Sequence, residues 1–216
     1  MKTATYGLLA IIVALGAGCS NLPRSRDLGN PDVSGQVLAE QVCSNCHGVT
    51  GTATSPNFPN LAGQTHAYLS AQLHELKAHS RRDPAGFEYM WGISRRLTDK
   101  QIEEIAAYFS AQKLLPQPLE RSVAQVDAGQ PIFAGGMPAK GVPACGSCHG
   151  PRGLGNDKFP RLSGQHADYL VKQLTVFQRT DERPEGSIMK TVAHELTREN
   201  IVDVAAYLQA LPNRNP

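Results

Sequence analysis

The sequence predicts an all-α chain made of two tandem helical domains, and three observations lead there. FPNLAGQTHAYLSAQL at 58–73 aligns with FPRLSGQHADYLVKQL at 159–174, an offset of 101, and RLTDKQIEEIAAYFSA at 96–111 aligns with ELTRENIVDVAAYLQA at 195–210, an offset of 99. A period near 100 residues is too long for a stacked repeat and marks a duplicated domain. Apolar residues recur at helical spacing in both copies, and β-rich segments are lacking. The length, 216 residues, lets each of two domains bury a core.

The chain opens with Lys2 and the apolar, glycine-bearing run GLLAIIVALGAG at 7–18. Such a run reaches about 18 Å as a helix, short of the ~30 Å hydrocarbon core of a membrane. Residues 1–18 therefore read as a signal peptide, which places the mature protein in the periplasm. Cys19 follows in LGAGCSN, which resembles a bacterial lipobox. Lipidation of Cys19 would anchor the protein to a membrane, with 19–33 as a flexible tether. Ordinary signal-peptidase cleavage nearby is the alternative.

The first domain is expected over 34–112, a linker around Pro116 and Pro118 over 113–126, and the second domain over 127–216. A first helix is expected at 33–44 and a second along Leu69, Leu73 and Leu76. In a third, Ile102, Ile105, Ala106 and Phe109 follow the i, i+3, i+4, i+7 pattern. Thr98 caps that helix and Gln101 completes a capping box. The counterparts are 127–135, the Leu170–Leu174–Phe177 stripe, and Ile201, Val204, Ala205 and Leu208 behind Thr197. Pro- and Gly-rich loops at 48–60 and 150–160 join them.

Charge excludes one class of partner. Lys and Arg total 21 against 19 Asp and Glu, and neither half is a polycation: 9 basic and 9 acidic residues in 20–118, 11 and 10 in 119–216. Nucleic-acid binding rests on clustered cations that neutralise phosphates, so nucleic acid is not expected as the partner.

Cysteine spacing carries the chemistry. Apart from Cys19, the cysteines form two pairs, CSNCH at 43–47 and CGSCH at 145–149. C-x-x-C-H is the attachment sequence of c-type haem. Thiols of Cys43 and Cys46, or of Cys145 and Cys148, lie three positions apart on one helical turn and can each form a thioether to a haem vinyl group. The adjacent His47 or His149 then projects under the iron. A structural zinc site would use four ligands without a His after each pair. A thioredoxin-like pair would sit in a βαβ pattern, and a disulfide across C-x-x-C would close a tiny, strained loop.

Each iron then has a second face. Thioether sulfur and imidazole are the usual ligands there. Met90 and Met189 stand in repeat register, each seven residues before Leu97 or Leu196. Met137 has no counterpart in the first half and reads as a gap-filler. His66, His74, His79, His166 and His194 read as surface residues, with His79 and His194 left as rival ligands.

With these motifs the chain resembles the di-haem cytochrome c4 family, two class I cytochrome c domains in tandem. The resemblance covers roughly 34–212 and is carried by GVPACGSCHGPRGLGN at 141–156, FPRLSGQHADYLVKQL and the closing AAYLQALP. GTATSPN at 51–57, in place of a Gly-rich run, and Trp91 after Met90 depart from the pattern. The resemblance implies two covalently bound haem c groups and an electron carrier rather than an enzyme. It also implies that Pro59 and Pro160 carbonyls accept the ligand-histidine N–H, and that Tyr68 and Tyr169, or Gln72 and Gln173, approach haem propionates between the domains. The implied partners are redox proteins, such as a respiratory quinol-oxidising complex or a terminal oxidase. Two alternatives stay open: an electron-transfer subunit of a larger dehydrogenase or oxidase, and a di-haem peroxidase, which needs a displaceable sixth ligand.

Overall fold

The computed structural model describes residues 25–118 and 121–211. The expected signal peptide and Cys19 lie outside the described residues. In the first domain, α1 (Gly35–Leu38) runs through a π-helical turn, Ala39–Cys43, into α2 (Ser44–His47). After α3 (His66–Lys77), a second π-helical turn at Gly86–Met90 leads into α4 (Trp91–Ser94), and α5 (Asp99–Ser110) closes the domain.

The second domain holds α6 (Val123–Gly135), a 3-10 turn at Pro138–Lys140 and α7 (Gly146–His149). It continues with α8 (Ala167–Arg179), a 3-10 turn at Pro184–Gly186, α9 (Ser187–Ala193) and α10 (Arg198–Ala210). Among the described residues there is no β-strand, only an isolated bridge between Met137 and Val142.

Local chemistry sets the helix starts. At α5 the Thr98 hydroxyl accepts from the Gln101 N–H at 3.2 Å, and the Gln101 side chain accepts from the Thr98 N–H at 2.9 Å. Thr197 and Asn200 repeat the arrangement at α10, at 3.2 and 3.1 Å. Each box satisfies two N–H groups that a helix start leaves unpaired. Ser122 and Gln125 form a third box, which starts α6 inside the stretch read as linker.

Each domain has its own core. Val33, Leu38, Leu69, Ile102, Ile105 and Phe109 fill the first, and Val126, Phe133, Leu170, Ile201, Val204 and Leu208 the second. Burial of each large apolar side chain contributes about 1.5–3 kcal/mol. In both domains the first helix crosses the last at a glycine. A Cβ on Gly35 would strike the Gln101 carbonyl and Glu104, and one on Gly129 would strike the Asp203 carbonyl and Tyr207. This close approach brings the N-terminal helix over the C-terminal one and carries each C-x-x-C-H to the edge of its core.

Candidate functional site

Both C-x-x-C-H motifs sit on a single helical turn that ends in glycine. His47 closes α2 before Gly48, and His149 closes α7 before Gly150. Both rings are buried, at 7% and 6% exposure. Nδ1 of His47 bonds the Pro59 carbonyl at 2.9 Å, and Nδ1 of His149 bonds the Pro160 carbonyl at 2.8 Å. A carbonyl only accepts, so Nδ1 carries the proton in both rings and Nε2 is the nitrogen that remains for a metal. Phe58 and Phe159 stand edge-on to the two rings, at centroid distances of 6.1 and 5.8 Å. Burial lowers both imidazole pKa values, outweighing the opposing effect of the proline carbonyls. Burial thus favours the neutral, ligating form.

No disulfide joins the four described cysteines. Burial pushes the Cys43 thiol up to about 12 and raises that of Cys145 as well. Among the described residues no group of three or more His, Cys, Asp or Glu is placed to hold a metal ion. The two pairs lie in separate domains rather than in one four-ligand cluster. One imidazole face and two thiols on one turn, repeated in each domain, suit a covalently attached haem.

Met90 ends the π-helical turn of the first domain, and its carbonyl accepts from the Ser94 hydroxyl at 2.7 Å. Met189 lies within α9. Both are partly buried. π-Helical turns recur at functional positions, and this one departs from the regular α9 turn at the equivalent place. His79, expected as a surface residue and as a rival ligand, is stacked between Trp91 at 4.7 Å and Phe87 at 5.4 Å. Its Nε2 is buried without a hydrogen-bond partner. His194 is exposed and pairs with Glu195.

The domains meet across a polar, pseudo-symmetric interface. Arg81 binds Asp83 through Nε at 2.7 Å and Nη2 at 3.2 Å, and donates to Gln72 at 2.6 Å. Arg183 repeats this with Glu185 at 2.8 Å and Gln173 at 2.6 Å. Crossing bonds join the halves: Arg183 to Gln72 at 2.8 Å, Arg183 to Tyr68 at 3.3 Å, and Gln173 to Asp83 at 3.3 Å. Burial would raise the Asp83 pKa, but the hydrogen bond and charge of Arg81, with Arg183 and Gln173, hold it below the ordinary carboxylate value. Burial opposes the charge on both arginines as well, yet Tyr68, Tyr169 and the two carboxylates keep them protonated.

The four residues that the resemblance placed between the domains therefore gather around two buried arginines that the sequence reading passed over. The signal was present: RRD at 81–83 and RPE at 183–185 are in register at an offset of 102. His166 was also misread. It is 4% exposed, because it precedes α8 at the interface and its Nε2 reaches the Ala53 carbonyl of the other domain at 2.9 Å.

Comparisons with known proteins agree with this architecture. The cytochrome c family model matches twice, over residues 33–113 and 126–212. Cytochrome c4 of Stutzerimonas stutzeri is 38% identical over 214 residues, covering 94% of this chain and 98% of the relative. The crystal structure of reduced recombinant cytochrome c4 from Pseudomonas stutzeri superposes with a TM-score of 0.72 at 40% identity, covering 84% of this chain and 98% of that one. A thiosulfate dehydrogenase electron acceptor of Stutzerimonas stutzeri is 31% identical, covering 78% of each chain. Repeat, fold and relatives converge: this chain belongs to the cytochrome c4 family of tandem cytochrome c domains, electron carriers with two covalently bound haem c groups.

Proposed function

We propose that the protein is an exported periplasmic carrier in which each haem iron is held between a histidine and a methionine. Cys43 and Cys46 attach the first haem and Cys145 and Cys148 the second. His47 and His149 ligate through Nε2, and Met90 and Met189 supply the opposite sulfur. The observation that carries the reading is the paired Nδ1-to-proline bond, which leaves Nε2 of each buried ring unprotonated and available to a metal. Repeat register and the scarcity of methionine support the two sulfurs.

When bound, haem c supplies a one-electron ferric–ferrous couple. The chain's residues set the conditions for it. The Pro59 and Pro160 carbonyls fix the ring orientation and increase imidazole donor strength. Methionine sulfur and apolar burial favour the reduced state. Met90 and Met189 as ligands would leave no open position for oxygen or peroxide on either iron, which is what would distinguish a carrier from a peroxidase. Arg81 and Arg183 would supply cationic hydrogen-bond donors to propionates lying between the domains, with Tyr68, Tyr169, Gln72 and Gln173 beside them.

Residues 1–18 direct export and Cys19 carries a lipid anchor. The mature chain comprises a tether from Cys19 that ends before Val33, whose side chain fills the first core, then the first domain to 112, a linker from 113 to the Ser122 cap of α6, and the second domain. Partners are redox proteins of the respiratory chain, a quinol-oxidising complex on one side and a terminal oxidase on the other, met through small transient interfaces. Likeness to a thiosulfate dehydrogenase electron acceptor favours a second reading, in which the partner is a dehydrogenase and the carrier chemistry is unchanged.

The experiment is spectroscopy of the purified holoprotein. Two thioether-ligated irons give the far-red ferric charge-transfer band at double strength and no carbon monoxide adduct when reduced. A missing band, or rapid carbon monoxide binding, contradicts the reading.

A further inference from the structure

The proline carbonyl that orients each histidine is half of a peptide group whose other half is held from across the domain boundary. The Pro59 carbonyl and the Asn60 N–H belong to one planar amide. His47 donates to its oxygen at 2.9 Å, and its N–H donates to Gln165 Oε1 of the second domain at 2.8 Å. The Pro160–Arg161 amide is treated alike: His149 donates at 2.8 Å, and the Arg161 N–H donates to Gln64 Oε1 of the first domain at 2.7 Å.

Each glutamine also returns a bond. Gln165 Nε2 donates to the Asn60 carbonyl at 3.0 Å and Gln64 Nε2 to the Arg161 carbonyl at 3.0 Å. Both side-chain oxygens are further pinned by the following backbone N–H, from Thr65 at 2.9 Å and from His166 at 3.0 Å. Gln64 and Gln165 are buried at 6% and 7% exposure, so water does not compete for these bonds. The prolines, the amides and the glutamines of the two sets are in repeat register at an offset of 101, and the histidines at 102.

Hydrogen bonds in series through one amide polarise each other, by roughly 10–30% per bond. An acceptor on the N–H makes the carbonyl oxygen more negative. That oxygen pulls harder on the Nδ1 proton and makes the imidazole a stronger donor at Nε2. We propose that Gln165 and Gln64 are positioning residues that tune, each from its own domain, the iron ligand of the other: Gln165 acts on His47 and Gln64 on His149. The inference rests on His47 and His149 being the iron ligands. Any change at the domain boundary then reaches both irons, and each haem's potential depends on the neighbouring domain.

The test uses the di-haem holoprotein and the variants Gln165→Leu and Gln64→Leu. Spectroelectrochemistry reads the two potentials, with haem-methyl NMR signals assigning each to its domain. NMR also reads solvent exchange of each ligand Nδ1 proton. Loss of the acceptor weakens donation to ferric iron, so Gln165→Leu raises the potential of the first haem and speeds exchange at His47. Gln64→Leu does the same to the second haem and His149.

This crossed pattern separates tuning from mere loosening, which moves both haems together in either variant. Effects on the variant's own domain, equal effects on both haems, or no effect in folded protein overturn the proposal. If a leucine variant yields no folded holoprotein, Gln165→Met and Gln64→Met, of similar length but without the amide, are read the same way. The parent protein's spectrum tests the underlying reading separately. Absence of hyperfine-shifted His47 and His149 imidazole signals removes the ligand assignment, whereas their presence without a crossed response removes only the tuning.

Discussion

Arg183 of the second domain donates to Gln72 of the first at 2.8 Å, while its other terminal nitrogen donates at 2.6 Å to Gln173, the equivalent of Gln72 in its own domain. One guanidinium thus joins two copies of the same glutamine. Each arginine turns two nitrogens to its own carboxylate, Asp83 or Glu185, and the third to its own glutamine, and the pseudo-symmetry is broken where Arg183 also reaches Gln72 across the boundary. The interface is held by directional, buried polar bonds, and these fix one arrangement of the domains more strictly than apolar contact would.

Asp83 is fully buried against Arg81, so its removal leaves an uncompensated cation. Asp83→Ala is expected to destabilise the holoprotein by about 3–5 kcal/mol. Denaturant unfolding, followed by loss of visible absorbance, measures it. A change below about 1 kcal/mol, the range of an exposed pair, contradicts this.

The same carboxylate gives a pH signature. Its folded pKa lies below the unfolded value of about 3.9, so in acid the unfolded chain binds the extra proton. The stabilisation is complete above about pH 4 and is lost as pH falls through the folded value. Stability of the parent is expected to fall more steeply with acid than that of Asp83→Asn. Parallel acid-unfolding curves would contradict the expectation.

Much of this was legible in the sequence, and particular residues show why the rest was not. Thr98, Gln101 and Thr197 cap where the pattern put them, because capping is local chemistry. The α6 start at Val123 was missed although Ser122 and Gln125 carry the same signal, because proline-rich composition nearby suggested a linker. The π-helical turns at 39–43 and 86–90 have no distinct period to read. Gln64, Gln165, His166 and Arg183 were missed because they have partners about 100 residues away, and Arg81 because buried polar residues follow no hydrophobic rhythm. The repeat register could have singled out the Gln64–Gln165 and Arg81–Arg183 pairs, whereas His166 aligns with Thr65 and carries no such signal.

Met90→Ala and Met189→Ala are each expected to open one iron. Each variant should bind one carbon monoxide per protein when reduced and keep about half the far-red ferric band, while both haems stay covalently attached. His79→Phe, which preserves the stack with Phe87 and Trp91, should leave band and binding unchanged. The reverse outcome, an inert Met90→Ala and an open His79→Phe, would assign the first iron to His79.

Gly129 lets α6 lie against α10. Gly129→Ala places a methyl group on the Asp203 carbonyl, which is backbone and cannot swing aside. Overpacking of this kind costs about 1–3 kcal/mol. Thermal unfolding should show a lower midpoint. An unchanged midpoint would mean that the helices separate at no cost.

Cys19→Ser is expected to release the protein from membranes into the soluble periplasmic fraction, by fractionation and immunoblot. Continued membrane association of the variant would remove the lipid anchor from the account.

The most direct test of the central claim is the intact mass of the purified protein under denaturing conditions, where only covalent cofactors survive. The account predicts the mature polypeptide plus two haem groups, one on Cys43 and Cys46 and one on Cys145 and Cys148. A mass with one haem, or with none, would contradict it.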